Sequence, residues 1–360
     1  MMLEARSLKK AVVPATLIQH PSPANLQSNR ISLHVNEEGN YCWVYVASGC
    51  HVYRILVSLK DSLVDEGKDS LLIPEPTQVV DSALVNRCPH RSEIQTILSN
   101  ETERNDCLIL GSVDSYGHLI VSKMDSYDVE RLTFSVSPRD FGVGEAGWAG
   151  LSFSPTQWST TAVAHSFGKS VNVYDQDFHL RTFHTMWYPT AVNFVNNLYS
   201  ERESSILAVT EGCQLSIWDL RVKEKGGCVH RICGSVGDIL YAVCNSSSGN
   251  IAVGGADRTM TVYDPRRWSA VARWVNCSKY EITGLSFSSI DPNYVYIQGV
   301  DYEVFCGQWR EYKKTFSFRG DSNWLGFSKC RNRDVLGGWC DSGSIFVADV
   351  VDRKELSRSE

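Results

Sequence analysis

Residues 206–221 read ILAVTEGCQLSIWDLR, and residues 251–266 read IAVGGADRTMTVYDPR. Both stretches begin with small and apolar residues, turn at Gly and an acidic residue, and end in an alternating segment closed by an aromatic residue and Asp. Alternation at period two, with β-branched and aromatic residues, predicts β-strands. The two stretches therefore predict the same pair of strands, joined by a tight turn and repeated 45 residues apart.

The same pattern recurs along the chain. Five clear copies end at Asp175, Asp219, Asp264, Gln308 and Asp349. Their spacing is 44, 45, 44 and 41 residues, and two weaker copies come first, in residues 42–57 and 94–121. A period of roughly 40–45 residues with four short strands per unit is the signature of a propeller blade. The number of copies predicts seven blades.

A closed ring gives such units a way to bury their apolar surface. A single four-stranded sheet exposes two apolar faces, and only neighbouring sheets can cover both. The sequence therefore predicts an all-β fold, a seven-bladed β-propeller over residues 30–350, with an N-terminal segment (1–29) and a short polar tail (351–360). We expect a strand from one terminus to close the ring. The apolar run from Ala11 to Ile18 is the candidate, paired with the blade near residues 322–350.

A long acidic connection follows the first predicted blade, in residues 60–92. Its acidic residues are Asp61, Asp65, Glu66, Asp69, Glu75 and Asp81. Connections of this length are usually either functional or loosely ordered. Two interpretations stay open: a surface loop that contains one outer strand, or an arm that binds a partner.

Composition limits the kinds of partner. Among 360 residues, 35 are Lys or Arg and 41 are Asp or Glu, so the net charge is −6 and no strong nucleic-acid signal is present. No apolar run approaches the roughly 18 residues of a membrane span, and the N-terminal residues lack a signal-peptide pattern, so we expect no membrane insertion. The twelve Cys, scattered through strand-like segments, are typical of reduced thiols and predict a cytoplasmic and/or nuclear protein.

The pair Trp218-Asp219 at the end of its strand resembles the motif that names the WD-repeat (WD40) family. The copy that ends at Tyr263-Asp264 is similar to the family consensus, with Tyr in place of Trp. The resemblance covers residues from about 30 to 350 and implies a WD40-type propeller. It also implies that Asp257 is the structural Asp of its blade turn. The Gly-His pair that often opens each repeat of the family is missing.

The two endings also resemble the Trp-Asp-x-Arg signature of substrate receptors for cullin-4 ubiquitin ligases. In that family the Arg helps to dock the propeller onto the ligase's adaptor protein. The resemblance implies an adaptor-docking set consisting of Trp218, Asp219, Arg221, Tyr263, Asp264 and Arg266. An Arg suits an interface because its planar fork makes bidentate contacts. The alternative is that each Asp-x-Arg ending is an exposed turn with a local ion pair.

No motif for catalysis, a cofactor or a metal is present. Glycine-rich phosphate loops, His-Glu-x-x-His and nucleophile elbows are absent from the sequence. Cys228, His230 and Cys233 have no matching second pair of ligands, and Cys88-Pro89-His90 is isolated. Ser, His and Asp show no arrangement that predicts a catalytic triad. We therefore predict no enzyme, no cofactor and no metal site.

These observations together predict a scaffold for protein–protein interactions. The more specific version is a cullin-4 substrate receptor, which would act as a monomer within a larger complex. The alternative is a structural subunit of a large intracellular assembly, such as one in the nuclear pore, in trafficking or in RNA processing. Fold analogy carries part of this inference.

Overall fold

The chain folds into seven four-stranded antiparallel sheets arranged as the blades of a propeller. The computed structural model describes residues 2–23, 25–27, 29–36, 38–60, 64–85, 89–101, 107–125, 130–138, 146–195 and 205–354. The first strand of every blade contacts the first strand of the next, and blade 7 contacts blade 1 in the same way. The prediction of an all-β, seven-bladed β-propeller is confirmed.

The strands are numbered in chain order, and those of each blade are given from the centre of the ring outward. Blade 1 contains β2 (Ile31–Val35), β3 (Tyr41–Ser48), β4 (His51–Ser58) and β8 (Asp81–Val85). Blade 2 contains β9 (Ile94–Glu101), β10 (Cys107–Asp114), β11 (Leu119–Asp125) and β12 (Glu130–Val136). Blade 3 contains β13 (Ala149–Phe153), β14 (Thr160–His165), β15 (Ser170–Asp175) and β16 (Phe178–His184). Blade 4 contains β17 (Pro189–Phe194), β18 (Ile206–Glu211), β19 (Gln214–Asp219) and β20 (Cys228–Cys233).

Blade 5 contains β21 (Leu240–Asn245), β22 (Ile251–Gly255), β23 (Met260–Asp264) and β24 (Ser269–Trp274). Blade 6 contains β25 (Ile282–Phe287), β26 (Tyr294–Gly299), β27 (Glu303–Gln308) and β28 (Lys313–Arg319). Blade 7 contains β29 (Trp324–Lys329), β30 (Val335–Cys340), β31 (Ser344–Asp352) and β1 (Leu3–Val12). Three short strands, β5 (Asp65–Glu66), β6 (Leu72–Ile73) and β7 (Glu75–Pro76), lie between β4 and β8, and 3-10 turns span Lys68–Ser70 and Glu224–Gly227.

The hydrophobic core consists of seven clusters, and each cluster lies between two neighbouring blades. Between blades 3 and 4, for example, Val171 and Phe183 pack with Leu207 and Trp218. Burial of each such side chain contributes about 1.5–3 kcal/mol. The blades are therefore held together by the apolar faces that none of them could bury alone.

The N-terminal strand closes the ring by completing blade 7. Strand β1 pairs antiparallel with β31 from Leu3, opposite Asp352, to Val12, opposite Ser344. The predicted closing segment, Ala11 to Ile18, is therefore misplaced: only its first two residues belong to the strand. Pro14 accepts hydrogen bonds from the backbone nitrogens of Leu17 and Ile18, so the chain turns there instead of extending.

The connection between β4 and β8 runs along the outside of blade 7. Its strand β7 pairs in parallel with β1 and extends that blade to five strands, and Lys9 forms an ion pair of 2.5 Å with Glu75. Leu72 is buried in the cluster between blades 6 and 7. The predicted acidic connection, residues 60–92, also includes the outer strand of blade 1, β8, as one of the two interpretations requires. The connection thus packs against the blade that closes the ring.

Strand β31 continues to Asp352, so the first two residues of the predicted 351–360 tail belong to blade 7, and residues 355–360 lie outside the described part. Within the described residues, no helix has the length and apolar character needed to cross a membrane.

The propeller has two chemically different faces. Turns between the second and third strands of a blade, together with the connections from one blade to the next, form what we call the upper face. Turns between the first and second strands and between the third and fourth strands form the lower face. Turns and loops carry most of the variable surface chemistry of such folds, so these two faces contain the candidate sites.

Candidate protein-binding site

Exposed apolar side chains collect on the upper face. Among the described residues, those in upper-face turns and connections are Tyr116, Phe167, Met186, Trp187, Tyr188, Val236, Ile239, Val275, Tyr280 and Tyr302. Three of them are consecutive, in the connection from β16 to β17, and Met186, Trp187 and Tyr188 are 53%, 51% and 55% exposed. Runs of three exposed apolar residues oppose solubility unless they serve a function.

Hydrogen bonds hold this connection in one conformation. The Glu211 carboxylate, which is fully buried at the end of β18, accepts hydrogen bonds of 2.6 and 2.9 Å from the backbone nitrogens of Met186 and Trp187. The Thr185 hydroxyl donates to the backbone oxygen of Trp187 at 2.7 Å. The backbone is therefore fixed, while half of each apolar side chain faces solvent.

Neighbouring residues extend the surface around Trp187. Its ring lies over Gly212, where φ is +55° and an added Cβ would come within 3.1 Å of the ring. Lys169 places its Nζ 4.7 Å from the centre of the Tyr188 ring, a cation–π contact. We call the surface formed by Met186, Trp187 and Tyr188 the aromatic crest. The sequence analysis missed it, although three large apolar residues between two strands were a readable signal.

Two of the predicted adaptor-docking residues are interior. Trp218 is buried between blades 3 and 4, its ring centre 5.2 Å from that of Phe183, and its Nε1 donates to the Ser216 hydroxyl at 2.9 Å. Tyr263 is buried between blades 4 and 5. Both aromatic rings therefore act in the packing between blades.

The remaining four predicted docking residues lie at equivalent lower-face turns of blades 4 and 5. Asp219 Oδ1 accepts a hydrogen bond of 2.9 Å from the backbone nitrogen of Arg221. Asp264 Oδ1 makes the same bond, also 2.9 Å, with the backbone nitrogen of Arg266. The connection in blade 4 is longer than that in blade 5, but the shared hydrogen bond places two arginines at matching positions on neighbouring blades.

The two arginines differ in their local ion pairs. The Arg221 guanidinium makes a two-pronged contact with the Asp219 carboxylate, at 3.1 and 2.8 Å. Burial alone would raise the pKa of Asp219, but the bonds from Arg221 outweigh it and the pKa lies below its ordinary value. Arg221 is still 61% exposed at its side chain. Arg266 is exposed, and no described hydrogen bond or ion pair involves its guanidinium.

Acidic residues at upper-face turns fasten the connection that enters the same blade. Asp257, predicted as the structural turn residue of blade 5, accepts bonds from the Thr259 backbone nitrogen at 3.0 Å and from the Ser235 hydroxyl at 3.2 Å. Glu211 does the same for blade 4 through Met186. An acidic residue at this turn thus positions the incoming connection, and in blade 4 that connection is the aromatic crest.

Blade 2 contains a Ser–His–Asp arrangement that the sequence analysis did not find. His90 Nε2 lies 2.8 Å from the Ser112 hydroxyl, and its Nδ1 lies 3.2 Å from Asp114 Oδ2. The sequence analysis treated His90 as part of an isolated Cys-Pro-His run, whereas the structure places it against Ser112 and Asp114. The signal was not readable because these residues are separated by 22 and 24 positions.

This arrangement is buried, so its chemistry is structural. Ser112 and the His90 side chain have no exposed surface, and a substrate cannot reach the Ser112 hydroxyl. Burial lowers the pKa of His90 below its ordinary value, although the hydrogen bond to Asp114 acts in the opposite direction. For Asp114 burial acts in the opposite direction, but bonds from His118 and His90 outweigh it and hold the pKa well below its usual range.

Among the described residues, the side chains of His90, Asp114 and His118 also lie close enough together to hold a metal ion. His118 Nε2 lies 2.7 Å from the Ser135 hydroxyl, and both His90 nitrogens have partners, so hydrogen bonds account for the cluster. Elsewhere, Cys228 is buried, whereas His230 and Cys233 are exposed.

The eleven described cysteines have free thiols. Burial raises the pKa of Cys244 and of Cys340 to about 12, so both thiols stay protonated and act as small apolar groups.

In comparisons with known proteins, no protein-family model matches the chain, and no curated protein matches it significantly. The architecture itself, a seven-bladed β-propeller, is compatible with the WD-repeat family.

Proposed function

We propose that the protein is an interaction scaffold that binds a partner protein through the aromatic crest on its upper face. The observation that carries the proposal is the fixed backbone beneath exposed Met186, Trp187 and Tyr188. Trp and Tyr dominate binding energy at protein interfaces, where truncation of one such residue costs at least about 2 kcal/mol. A connection that is already ordered loses little conformational entropy on binding.

The exposed surface near the crest suits a partner with an apolar patch and some acidic character. Trp187 and Tyr188 supply apolar area, and Lys169 adds a positive charge over the Tyr188 ring. A propeller also offers a rigid platform, because seven interlocked clusters hold the crest in place.

A crosslinking and affinity-purification experiment tests this proposal. The variant with Trp187→Ala and Tyr188→Ala should lose partners that the wild-type chain crosslinks through residues of the upper face. The matched control replaces Phe178 and Leu180, which are 67% and 46% exposed on the outer strand of blade 3, by Ala. Retention of every partner by the crest variant, or equal loss in the control, would contradict the proposal.

The lower-face arginines support a second candidate, docking onto the cullin-4 adaptor. Arg221 and Arg266 occupy matching turns of blades 4 and 5. Arg181 of blade 3 donates hydrogen bonds of 2.9 and 2.6 Å to the backbone oxygens of Leu220 and Val222, and these bonds stabilise the turn that contains Arg221. The surrounding exposed basic residues are Lys223, Lys225, Arg267, Arg310, Lys313 and Lys314. Exposed Glu224 and Glu311 lie among these residues, but the basic side chains outnumber them, which suits an acidic docking partner.

A pull-down with purified cullin-4 adaptor tests this second candidate function. The wild-type chain should retain the adaptor in a pull-down, and the variant with Arg221→Ala and Arg266→Ala should retain at least tenfold less. Arg319→Ala is the control, because this side chain is 52% exposed and lies at the upper end of β28, away from the lower-face turns. Full binding by the double variant would rule out docking through these arginines. If native complexes that contain the chain lack ligase components, a role as a structural subunit in the cytoplasm or nucleus is favoured instead.

A further inference from the structure

Three consecutive connections on the upper face carry exposed apolar side chains. The aromatic crest belongs to the first, from blade 3 to blade 4. The connection from blade 4 to blade 5 carries Val236, which is 94% exposed, and Ile239, and the connection from blade 5 to blade 6 carries Val275 and Tyr280. We call these four residues the apolar arc, with two residues in each half. Single exposed apolar residues are ordinary, whereas a contiguous set of them marks an interaction site.

The crest and the first half of the apolar arc flank the same turn. Trp187 lies over Gly212, in the turn between β18 and β19 of blade 4. The backbone oxygen of Gly212 accepts a hydrogen bond of 2.8 Å from the nitrogen of Leu240, which directly follows Ile239. The connection that carries the first half of the arc is therefore held beside the crest.

A second turn joins the two halves of the arc in the same way. In the turn between β22 and β23 of blade 5, the backbone nitrogen of Ala256 donates a hydrogen bond of 2.8 Å to the oxygen of Ile239. The oxygen of Arg258, in the same turn, accepts one of 3.1 Å from the nitrogen of Cys277, in the connection that carries the second half of the arc. The crest and the two halves of the arc therefore follow one another around the upper face.

The exposed charges along the arc are basic. Arg258 lies in the turn between the two halves, Arg273 lies at the upper end of β24, and Lys279 lies in the second connection, and all three are exposed. The Lys279 Nζ is 5.1 Å from the centre of the Tyr280 ring, a cation–π contact. The acidic residues of the same segments are partly buried: Asp238, Asp257 and Glu281. No ion pair among the described residues involves Arg258 or Lys279.

A groove of about 290 Å³ lies beside the first half of the arc, between blades 4 and 5. Its apolar wall consists of Leu240, Val253, Tyr263 and Ala270. The Ser235 hydroxyl donates a hydrogen bond of 3.2 Å to Asp257 and accepts one of 3.3 Å from Arg273, so Asp257 offsets part of the Arg273 charge. The groove thus suits one apolar side chain, and Arg258 and Lys279 supply the positive charge around it.

We propose that the crest and the apolar arc together bind a segment of a partner protein in which apolar residues alternate with Asp or Glu. The proposal rests on the proposed function, because the arc continues the surface of the crest, and it adds the charge of the partner. Apolar side chains of the segment pack on the crest and the arc, and one of them fills the groove. Its carboxylates lie beside Arg258 and Lys279. Aromatic contacts supply most of the affinity of such interfaces, and complementary charge selects the partner.

Segments of other charge would behave differently on this surface. A neutral apolar segment would bind to the same extent at any ionic strength, and a basic segment would be repelled by the exposed basic residues. Contacts between exposed opposite charges are screened by salt, so an acidic segment should bind less tightly as ionic strength rises. Because the whole chain has a net charge of −6, an acidic segment is attracted only where the local charge is positive.

Retention of synthetic peptides on the immobilised full chain tests the proposal. Three pools of 12-residue peptides share the same alternating Leu, Phe and Tyr, and their polar positions hold Asp and Glu, Asn and Gln, or Lys and Arg. At low salt we expect the acidic pool to be retained at least about tenfold more than the neutral pool, and the basic pool least. This excess of the acidic pool should shrink at high ionic strength.

Val236→Ser tests the apolar part of the arc. The side chain is almost fully exposed, so its replacement leaves the fold intact, and retention of the acidic pool should fall about three- to tenfold. The matched control is Val271→Ser, an exposed valine on the outer strand of blade 5, which should retain the acidic pool like wild type. Unchanged melting temperatures verify that both variants are folded.

Arg258→Gln combined with Lys279→Gln tests the charge. Retention of the acidic pool should fall by about tenfold, and retention of the neutral pool should stay unchanged. The control combines Arg310→Gln with Lys313→Gln, which removes two exposed charges from the lower face and should leave both pools unaffected.

Equal retention of the acidic and neutral pools by wild type overturns the proposal, and so does an equal loss in an arc variant and its control. If the crest variant, Trp187→Ala with Tyr188→Ala, loses the acidic pool while both arc variants retain it like wild type, this inference fails and the proposed function stands. If the crest variant retains the acidic pool like wild type, both fail.

Discussion

Glu211 Oε2 lies 2.9 Å from the backbone nitrogen of Trp187, so a buried carboxylate at the end of one strand fixes the connection that enters the same blade. The contact joins the fold to the proposed function. Packing between the blades buries the Glu211 carboxylate. This carboxylate fixes the backbone of residues 186 and 187, whose side chains are therefore held facing solvent. A partner then meets a surface that needs no rearrangement.

Removal of the Glu211 carboxylate should loosen the crest. In Glu211→Ala the backbone nitrogens of Met186 and Trp187 lose their acceptor, which costs about 1–3 kcal/mol when the groups are buried. Urea unfolding should show this loss of stability. Glu211→Gln, which keeps an acceptor oxygen, should lose less. Equal stability of Glu211→Ala and wild type would contradict the role assigned to this carboxylate.

Truncation of the closing strand should destabilise the whole ring. Leu8 is buried in the cluster between blades 6 and 7, so Leu8→Ala should lower the free energy of unfolding by about 2–5 kcal/mol. Val12, in the same strand, is 61% exposed, and Val12→Ala should change it by less than about 0.5 kcal/mol. If denaturation shows equal losses of stability in Leu8→Ala and Val12→Ala, β1 is not packed as described.

The long connection should contribute to stability through one buried side chain. Leu72 packs between blades 6 and 7, whereas its neighbour Ile73 is 52% exposed. Leu72→Ala should lower the melting temperature by a few degrees, since a loss of 1 kcal/mol shifts it by roughly 2–4 °C in a domain of about 150–250 residues. Ile73→Ala should leave it unchanged. An unchanged melting temperature in Leu72→Ala would show that the connection detaches from blade 7 in solution.

Stability should fall as the solution becomes mildly acidic. Burial lowers the pKa of His90 and of His165 in the folded chain, whereas an unfolded His titrates near about 6.5. Below this value the unfolded chain binds more protons than the folded one, so unfolding becomes easier. The slope reaches at most about 1.4 kcal/mol per pH unit for each group. Urea titrations between pH 7.5 and 5 measure it.

His90→Gln separates this effect from general acid sensitivity. The variant should be less stable at pH 7.5, because the contacts with Ser112 and Asp114 are changed, and its stability should depend less steeply on pH. An unchanged slope would show that His90 does not titrate during unfolding.

Local patterns in the sequence were sufficient to predict the blades. The alternation that ends at Asp219 and Asp264 marks the third strands β19 and β23, and the period of the copies predicted seven sheets. These features were readable because each depends on residues close together in the chain.

Features that depend on distant partners were not readable. Strand β1 contains the charged residues Arg6, Lys9 and Lys10, which obscure the alternation of apolar and polar residues in the sequence. In the folded chain these three residues form ion pairs with Asp349, Glu75 and Asp321 respectively. The predicted closing strand was therefore placed on the more apolar run that follows. His90 likewise meets Ser112 and Asp114 only after blade 2 has folded.

Amide hydrogen exchange of residues 3–12 tests the closed ring most directly. The pairing of β1 with β31 predicts that peptides from Leu3–Val12 keep slowly exchanging amides long after residues 15–27 have exchanged, and that peptides from Ser344–Asp352 are protected to the same degree. Complete exchange of residues 3–12 at the rate of an unstructured peptide would contradict the ring closed by its N-terminal strand.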